Sequence, residues 1–118
     1  MQGFLQITTP AGRFLCCGLR STEFERVRQL AGNLHAPFPV IAESTQQLRG
    51  VLHVSPEEER LLAGEDKPLL LLQKKERQAF PLVSEQDRIP ARLYANPFEL
   101  SLLREFLEPL ILLPFSGE

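Results

Sequence analysis

The spacing of apolar and polar residues along the chain predicts strands that alternate with helices. Residues 68–73 form a continuous apolar run between a proline and a lysine pair, which is typical of a strand buried on both faces. A second run at 109–113 predicts another interior strand. Further strands are predicted at residues 4–9, 13–17, 38–42, 80–83 and 91–94, of which 80–83 is expected to lie at an edge of the sheet.

Helix-start signals separate several of these strands. Ser55, with Pro56 next and Glu58 three residues later, matches a capping box with proline at the first helical position. Asn96 before a proline predicts the start of a helix at 97–107. The buried arc of that helix is expected to contain Phe98, Leu102, Leu103, Phe106 and Leu107, and its polar stripe Ser101, Arg104, Glu105 and Glu108.

Strands and helices that alternate through short connections predict an α/β domain, with an α+β arrangement as the alternative. We expect one twisted, open, mixed sheet with helices packed on it. The chain of 118 residues suffices for a single domain, residues 1–118, with its own core. Because residues 68–73 are expected to be interior, replacing Leu71 with aspartate is predicted to destabilise the fold by several kcal/mol.

The overall charge gives no support for nucleic-acid binding. Lysine and arginine number 13 and aspartate and glutamate 15, a net charge of −2, so no DNA partner is expected. No apolar stretch approaches the roughly 20 residues of a membrane span, and the first residues lack the basic flank and apolar core of a signal peptide. We therefore expect a cytoplasmic protein without a membrane partner.

The two cysteines, Cys16 and Cys17, are adjacent, which disfavours a disulfide between them. On a strand, one would point into the core and the other away from it. The favoured interpretation is a pair of small apolar residues in a reducing compartment, and a reactive or metal-sensing thiol is the alternative. His35 and His53 are isolated, so no metal site and no cofactor are expected.

Two groups of cations are candidates for ligand binding. Lys74, Lys75 and Arg77 follow the predicted strand at 68–73, and ligands of open α/β sheets gather outside strand ends. The cluster could therefore meet a phosphate, although a solvated loop that keeps an apolar strand soluble explains it as well. Arg92 lies within a predicted strand and faces either solvent or a lined cleft; alternation alone does not decide which.

Several segments together resemble the YrdC-like family. They are the hairpin at 8–17, PFPVI at 37–41, VSPEEERLL at 54–62, PLLLLQKK at 68–75, ARLYANP at 91–97 and PLILL at 109–113, all in the order of the family. The family contains the threonylcarbamoyl-adenylate synthases of tRNA modification and a domain of the HypF hydrogenase-maturation carbamoyltransferases, and the HypF type is the closer match. The resemblance implies a YrdC-like fold over about residues 4–116. The ligand-binding positions that it implies are Arg92, Thr8, Thr9, Lys74, Lys75 and Ser116.

The chain departs from the family at the residues that carry charge. Members of the family hold ATP and acyl-phosphate oxygens with a Lys-x-Arg cluster after the first helix, but here no lysine or arginine lies between Arg28 and Arg49. The terminal Ser-Ala/Gly-Asn signature is reduced to Ser116, Gly117 and Glu118. The resemblance is thus to a short, degenerate member of the family.

These departures predict a non-catalytic binding or accessory protein, because a fold alone does not convey activity. Its partner is expected to be a protein, or a nucleotide or RNA bound weakly. One alternative is a carbamoyl-adenylate-forming enzyme with a rearranged cation set from Lys74, Lys75 and Arg92. The second alternative is an RNA-binding module.

Overall fold

The structure, a computed structural model, describes residues 4–9, 12–22, 24–30, 32, 37–81 and 83–114. The strands within these residues are β1 (Phe4–Thr9), β2 (Gly12–Gly18), β3 (Val40–Ala42), β4 (Leu70–Gln73), β5 (Arg88–Leu93) and β6 (Leu110–Pro114). The helices are α1 (Phe24–Leu30), α2 (Thr45–Leu48), α3 (Pro56–Leu62) and α4 (Pro97–Phe106).

The strands form one six-stranded sheet in the order β1-β2-β6-β3-β5-β4. β3 and β5 are parallel, whereas the other neighbouring strands are antiparallel. The sheet is therefore mixed and open, with β1 and β4 at its edges. This arrangement confirms the predicted α/β class and the interior position of β6.

Both faces of the sheet carry apolar side chains, because each strand sends alternate residues to opposite sides. One face packs against α1, α2 and α3. The other face packs against α4, chiefly through Leu102 and Leu103. We call these the three-helix face and the α4 face.

Because helices pack on both faces of the sheet, the two adjacent cysteines are both buried. Cys17 belongs to the core of the three-helix face and Cys16 to that of the α4 face, and both are fully buried free thiols. The expectation that one of them would point away from the core is wrong, because helices cover both sides of β2. Burial is the main cause that raises the pKa of Cys16 to about 12, and the neighbouring Cys17 adds to this increase. Burial also raises the pKa of Cys17 to about 12, with a further contribution from the charge of Glu108.

The predicted helix starts are confirmed at α3 and α4. The Ser55 hydroxyl accepts a hydrogen bond from the Glu58 N–H at 3.1 Å, and the Glu58 carboxylate accepts one from the Ser55 N–H at 2.9 Å. At α4, the Asn96 side chain caps the helix and Pro97 occupies the first turn.

The buried arc predicted for α4 is too broad. Leu102 and Leu103 are buried, but Phe98 is 47% exposed and Leu107 is 82% exposed. Leu107 is exposed because α4 ends there, with a left-handed backbone at φ 62° and its N–H bonded to the Leu103 carbonyl at 2.8 Å.

The interior position predicted for residues 68–73 is wrong, because β4 is an edge strand. Leu72 is fully buried in the core of the three-helix face, whereas Leu71 is 57% exposed on the opposite side. A run of identical leucines hides this alternation in the sequence. The large cost predicted for aspartate at Leu71 does not follow.

The edge strand predicted at 80–83 is also wrong. Within the described residues this segment is a turn, in which Phe80 has a φ of 52°. Val83 is nevertheless buried, and its carbonyl accepts a hydrogen bond from the Phe38 N–H at 2.8 Å. Its apolar residues pack as a loop over the core rather than as a strand. None of the helices in the described part of the chain is long and apolar enough to cross a membrane.

We predict that alanine at Leu72 and alanine at Leu71 will have very different effects on stability. Leu72→Ala should lower the free energy of unfolding by about 2–5 kcal/mol, because it leaves a cavity in the core. Leu71→Ala should cost less than about 1 kcal/mol, because the side chain is largely in water already. Urea unfolding of dilute protein measures both. Equal losses would contradict the assignment of β4 as an edge strand with one buried side.

Candidate functional site

The α4 face is only partly covered, and the uncovered part forms a cleft of about 550 Å³. Its floor is the α4 face of the sheet, and the first turns of α4 form one wall. We call it the α4 cleft. Most of the residues that line it are apolar: Ile7, Phe14, Pro39, Ile41, Leu69, Phe98, Leu102 and Leu112. The polar residues that line it are Arg92, Asn96 and Glu99.

Arg92 enters the cleft because of its place in β5. Its neighbours Ala91 and Leu93 belong to the core of the three-helix face, so the side chain of Arg92 projects to the opposite side. This answers the question that the sequence left open, since Arg92 points into a lined cleft. One Arg92 Nη also donates to the Leu93 carbonyl at 3.1 Å.

Glu99 binds the guanidinium of Arg92 with both carboxylate oxygens. The two Nη–Oε distances are each 2.9 Å, which is the parallel arrangement that makes arginine–carboxylate pairs strong. The Ala95 N–H donates to the same carboxylate at 2.7 Å. The side chains of Arg92 and Glu99 are 24% and 12% exposed, so solvent screens the pair only partly.

The position of Glu99 follows from the helix start. Asn96 is the N-cap residue, and its side-chain oxygen accepts the Glu99 N–H at 2.9 Å. Glu99 is therefore the third helical residue, the position from which a glutamate turns back toward the preceding chain. Negative charge at this place is also favoured by the helix dipole.

Burial alone would raise the pKa of Glu99. The hydrogen bonds from Arg92, the Ala95 N–H and the charge of Arg92 together outweigh burial and hold the pKa of Glu99 below its ordinary value of 4.5. Glu99 is therefore an anion at neutral pH, and the polar end of the cleft carries a neutralised pair. An anionic ligand at Arg92 would therefore meet a guanidinium whose charge the carboxylate already neutralises.

Lys74 and Lys75, which the resemblance implied as ligand-binding positions with Arg92, are not among the described residues that line this cleft. In the β4–β5 register Leu70 pairs with Ala91 and Gln73 with Arg88, so Lys74 follows the end of β4 that lies farthest from Arg92. Lys75 is exposed at the same distant end.

Lys74 is, moreover, a buried residue with a structural role. Its side chain is 2% exposed, and its ammonium donates to the Ser84 carbonyl at 2.9 Å and to the Arg77 carbonyl at 3.4 Å. Burial lowers the pKa of Lys74, and the nearby charge of Asp87 opposes the shift. The lysine holds both ends of the loop after β4 and is not available to a ligand.

The remaining residues that the resemblance implied are not assembled around Arg92 in the described part of the chain. Thr8 is exposed, and alternation along β1 makes its neighbour Ile7 the residue that lines the cleft. The Thr9 side chain, Ser116 and residues 33–36 lie outside what the structure describes. Among the described residues, no three of the His, Cys, Asp and Glu side chains are grouped so as to hold a metal ion.

Glu99 is the functional residue that our sequence reasoning missed. The signal was present, because Asn96 followed by proline and by a glutamate at the third helical position is a capping pattern of the same kind as that of α3. That pattern predicts a carboxylate turned toward the preceding strand, where Arg92 lies.

No protein-family model and no curated protein sequence matches the chain. Several solved structures do match it. Full-length HypF in a phosphate- and nucleotide-bound form has 26% sequence identity and a TM-score of 0.77, over 94% of this chain and 15% of that one. YciO of E. coli has 21% identity and a TM-score of 0.69, over 93% of this chain and 56% of that one.

Sua5 of P. abyssi in complex with L-threonine has 21% identity and a TM-score of 0.73, over 93% of this chain and 34% of that one. The chain thus spans between 15% and 56% of the length of these three neighbours. The described architecture agrees with theirs over nearly all of this chain.

We predict that Glu99→Gln will lower stability in a pH-dependent way. At neutral pH it should cost about 1–3 kcal/mol, because a charge-assisted pair is lost. Since the pKa of Glu99 is depressed in the folded protein, its contribution is present above the ordinary value of 4.5 and is lost as pH falls through the folded-state pKa. The difference between the native chain and the variant should therefore shrink in acid.

Urea unfolding at neutral and at strongly acidic pH measures this difference. Glu105→Gln is the matched control, because Glu105 is an exposed glutamate of the same helix. A loss for Glu99→Gln that is the same at both pH values would show that the ion pair does not carry the effect.

Proposed function

Because this chain is a domain with the YrdC-like fold, we propose that it is a non-catalytic binding or accessory domain whose α4 cleft takes an apolar group rather than a phosphate. The single observation that carries this proposal is the pairing of Arg92 with Glu99 at 2.9 Å through both oxygens. Among the described residues that line the cleft, Arg92 is the cation that a ligand could meet, and Glu99 neutralises its charge.

Two of the neighbours in fold were determined with bound ligands. The HypF structure contains phosphate and nucleotide, and the Sua5 structure contains L-threonine. In the present chain a phosphate at Arg92 would compete with a carboxylate that is already held by three hydrogen bonds. The sequence between Arg28 and Arg49 supplies no further lysine or arginine. Both facts favour a role without nucleotide chemistry.

The mostly apolar lining of the cleft favours the alternative kind of ligand. An apolar group gains free energy by leaving water, and it needs no partner for a charge. The Arg92–Glu99 pair and Asn96 lie at one end of the cleft. There they can donate hydrogen bonds to a neutral group of a ligand, or accept hydrogen bonds from it. Apolar side chains of a protein partner have this chemistry.

The hypothesis of a rearranged enzyme requires Lys74, Lys75 and Arg92 to meet at one ligand. The carbonyl contacts of Lys74 and the β4–β5 register argue against such a meeting. No described contact favours RNA, because Arg92 is the cation among the described residues that line the cleft and it is paired.

We predict that releasing Arg92 from Glu99 will create affinity for ATP. Glu99→Gln should bind ATP about 10- to 100-fold more tightly than the native chain, because the guanidinium gains a charge-assisted contact worth about 1.5–3 kcal/mol. Titration of amide NMR shifts measures the affinity, and dispersed spectra verify that each variant is folded. Glu105→Gln should leave the affinity unchanged. Tight ATP binding by the native chain, centred on Arg92, would contradict the proposal.

A direct assay tests catalytic silence. Release of pyrophosphate or AMP from ATP, with threonine and bicarbonate or with carbamoyl phosphate, should remain at background for the native chain. Turnover that disappears in Arg92→Ala or Lys74→Ala would overturn the proposal in favour of the rearranged enzyme. Turnover that survives both changes, and that follows the protein through purification, would also contradict catalytic silence and would place the active site elsewhere in the chain.

A further inference from the structure

A second groove lies on the three-helix face, where the loop after β4 meets the residues that follow β2. Two cavities of about 370 and 310 Å³ are adjacent there, because Arg20 and Phe80 line both of them. We call the two cavities together the Phe80 groove. Leu19, Phe24 and Val51 in its lining belong to the core of the three-helix face, whereas the α4 cleft opens on the opposite face of the sheet. The groove is therefore a separate site.

The loop that carries Phe80 is fixed by hydrogen bonds. The Phe80 carbonyl accepts the N–H groups of Val83 and Ser84, each at 3.1 Å. The Lys74 ammonium bonds the carbonyls of Arg77 and Ser84, on either side of Phe80. These contacts hold Phe80 at a φ of 52°, a left-handed backbone conformation that is strained for a bulky residue. Because the contacts fix the loop, the groove is preformed, and strained residues of this kind cluster at ligand-binding sites.

One half of the groove is an aromatic pocket. The apolar residues that line the cavity of about 370 Å³ are Leu19, Phe24, Phe80, Pro81 and Val83. The ring of Phe24 is held in place by an edge-to-face contact with Phe38, with 5.6 Å between the ring centroids. A ligand in this half would meet the rings of Phe24 and Phe80, which favours an aromatic body over an aliphatic one.

The other half of the groove carries charge. Lys75 and Glu76 line the cavity of about 310 Å³, and Arg20 lines both cavities. Neither the Arg20 guanidinium nor the Lys75 ammonium forms an ion pair with a carboxylate in the described part of the chain. Glu108 accepts the Arg20 backbone N–H at 2.8 Å, which fixes the main chain there. The lining thus offers two cations against one carboxylate, unlike the neutralised pair of the α4 cleft, and it favours an anion.

We propose that the Phe80 groove binds a small aromatic carboxylate. The ring of the ligand lies against Phe24 and Phe80, and its carboxylate meets Arg20 and Lys75. Because Arg20 lines both cavities, a short link between ring and carboxylate is enough to reach both halves of the groove. The site lies on the opposite face of the sheet from the α4 cleft, so it does not depend on the function that we propose for that cleft.

Titration of the full chain with phenylacetate, followed by amide NMR shifts, tests the site. The shifts should saturate with a dissociation constant on the order of 1 mM, because so small a ligand gains little free energy in total. They should centre on residues 19–21 and 75–80. Shifts that do not saturate, or that centre on the α4 cleft, would overturn the proposal.

Two analogues test the two halves of the ligand. Phenylacetamide has a similar shape without the charge, and it should bind about tenfold more weakly, because it loses the attraction of two exposed cations. Acetate keeps the charge without the ring, and it should bind at least about tenfold more weakly, because it removes no apolar ring from water. An affinity for either analogue equal to that for phenylacetate would contradict the ligand class that we propose.

Side-chain variants test the charges of the groove. Arg20→Gln and Lys75→Gln should each weaken phenylacetate binding about two- to fivefold, because each removes one exposed cation. Glu76→Gln should strengthen binding by a similar factor, since it removes a like charge, and a misfolded variant would not show such a gain. Arg60→Gln is the matched control, because Arg60 is an exposed arginine of α3 outside the lining of the groove. Equal losses in all three cation variants, or no gain in Glu76→Gln, would overturn the proposal.

Discussion

One ion pair, which joins Arg92 of β5 to Glu99 of α4, determines the charge at the polar end of the α4 cleft. α4 covers the α4 face of the sheet, and the ion pair links the first turn of this helix to β5. Removing one partner would leave the other partly buried without a counter-charge, which is costly. The same pair therefore contributes to the attachment of the helix and, in the function that we propose, to the choice of ligand.

The pair also explains how a domain can keep the YrdC-like fold and offer a different surface to ligands. The apolar cores of both faces hold the sheet and its helices together, and Leu102 and Leu103 pack α4 onto the sheet. A cation that is neutralised from within leaves the fold intact while it reduces affinity for phosphate. The apolar lining then determines what the cleft can take.

The sequence predicted the elements well where the signal is local. The capping residues of α3 and α4 depend on neighbours along the chain, and these predictions agree with the structure. β4 and β6 show the limit of such reasoning. Both are apolar runs of similar length, but β6 lies between two strands and β4 lies at the edge. That difference is determined by pairing between distant segments, which periodicity does not contain.

The candidate site shows the same difference between local signals, which the sequence contains, and contacts between distant segments, which it does not. Glu99 was detectable from its helix-capping position, whereas the burial of Lys74 was not, because it depends on how the loop after β4 folds back to present the Ser84 carbonyl. A lysine that follows an apolar strand is ordinarily exposed to solvent, whereas here the loop after β4 covers the side chain of Lys74.

The pairing of Arg92 with Glu99 can be tested through the pKa of the Glu99 carboxylate, followed by the NMR resonance of its side-chain carbon in the native chain and in Arg92→Met. We predict a pKa below the ordinary 4.5 in the native chain, and a clear increase in the variant, where burial acts without a counter-charge. A native value at or above 4.5, or one that the loss of Arg92 leaves unchanged, would show that the two side chains are not paired.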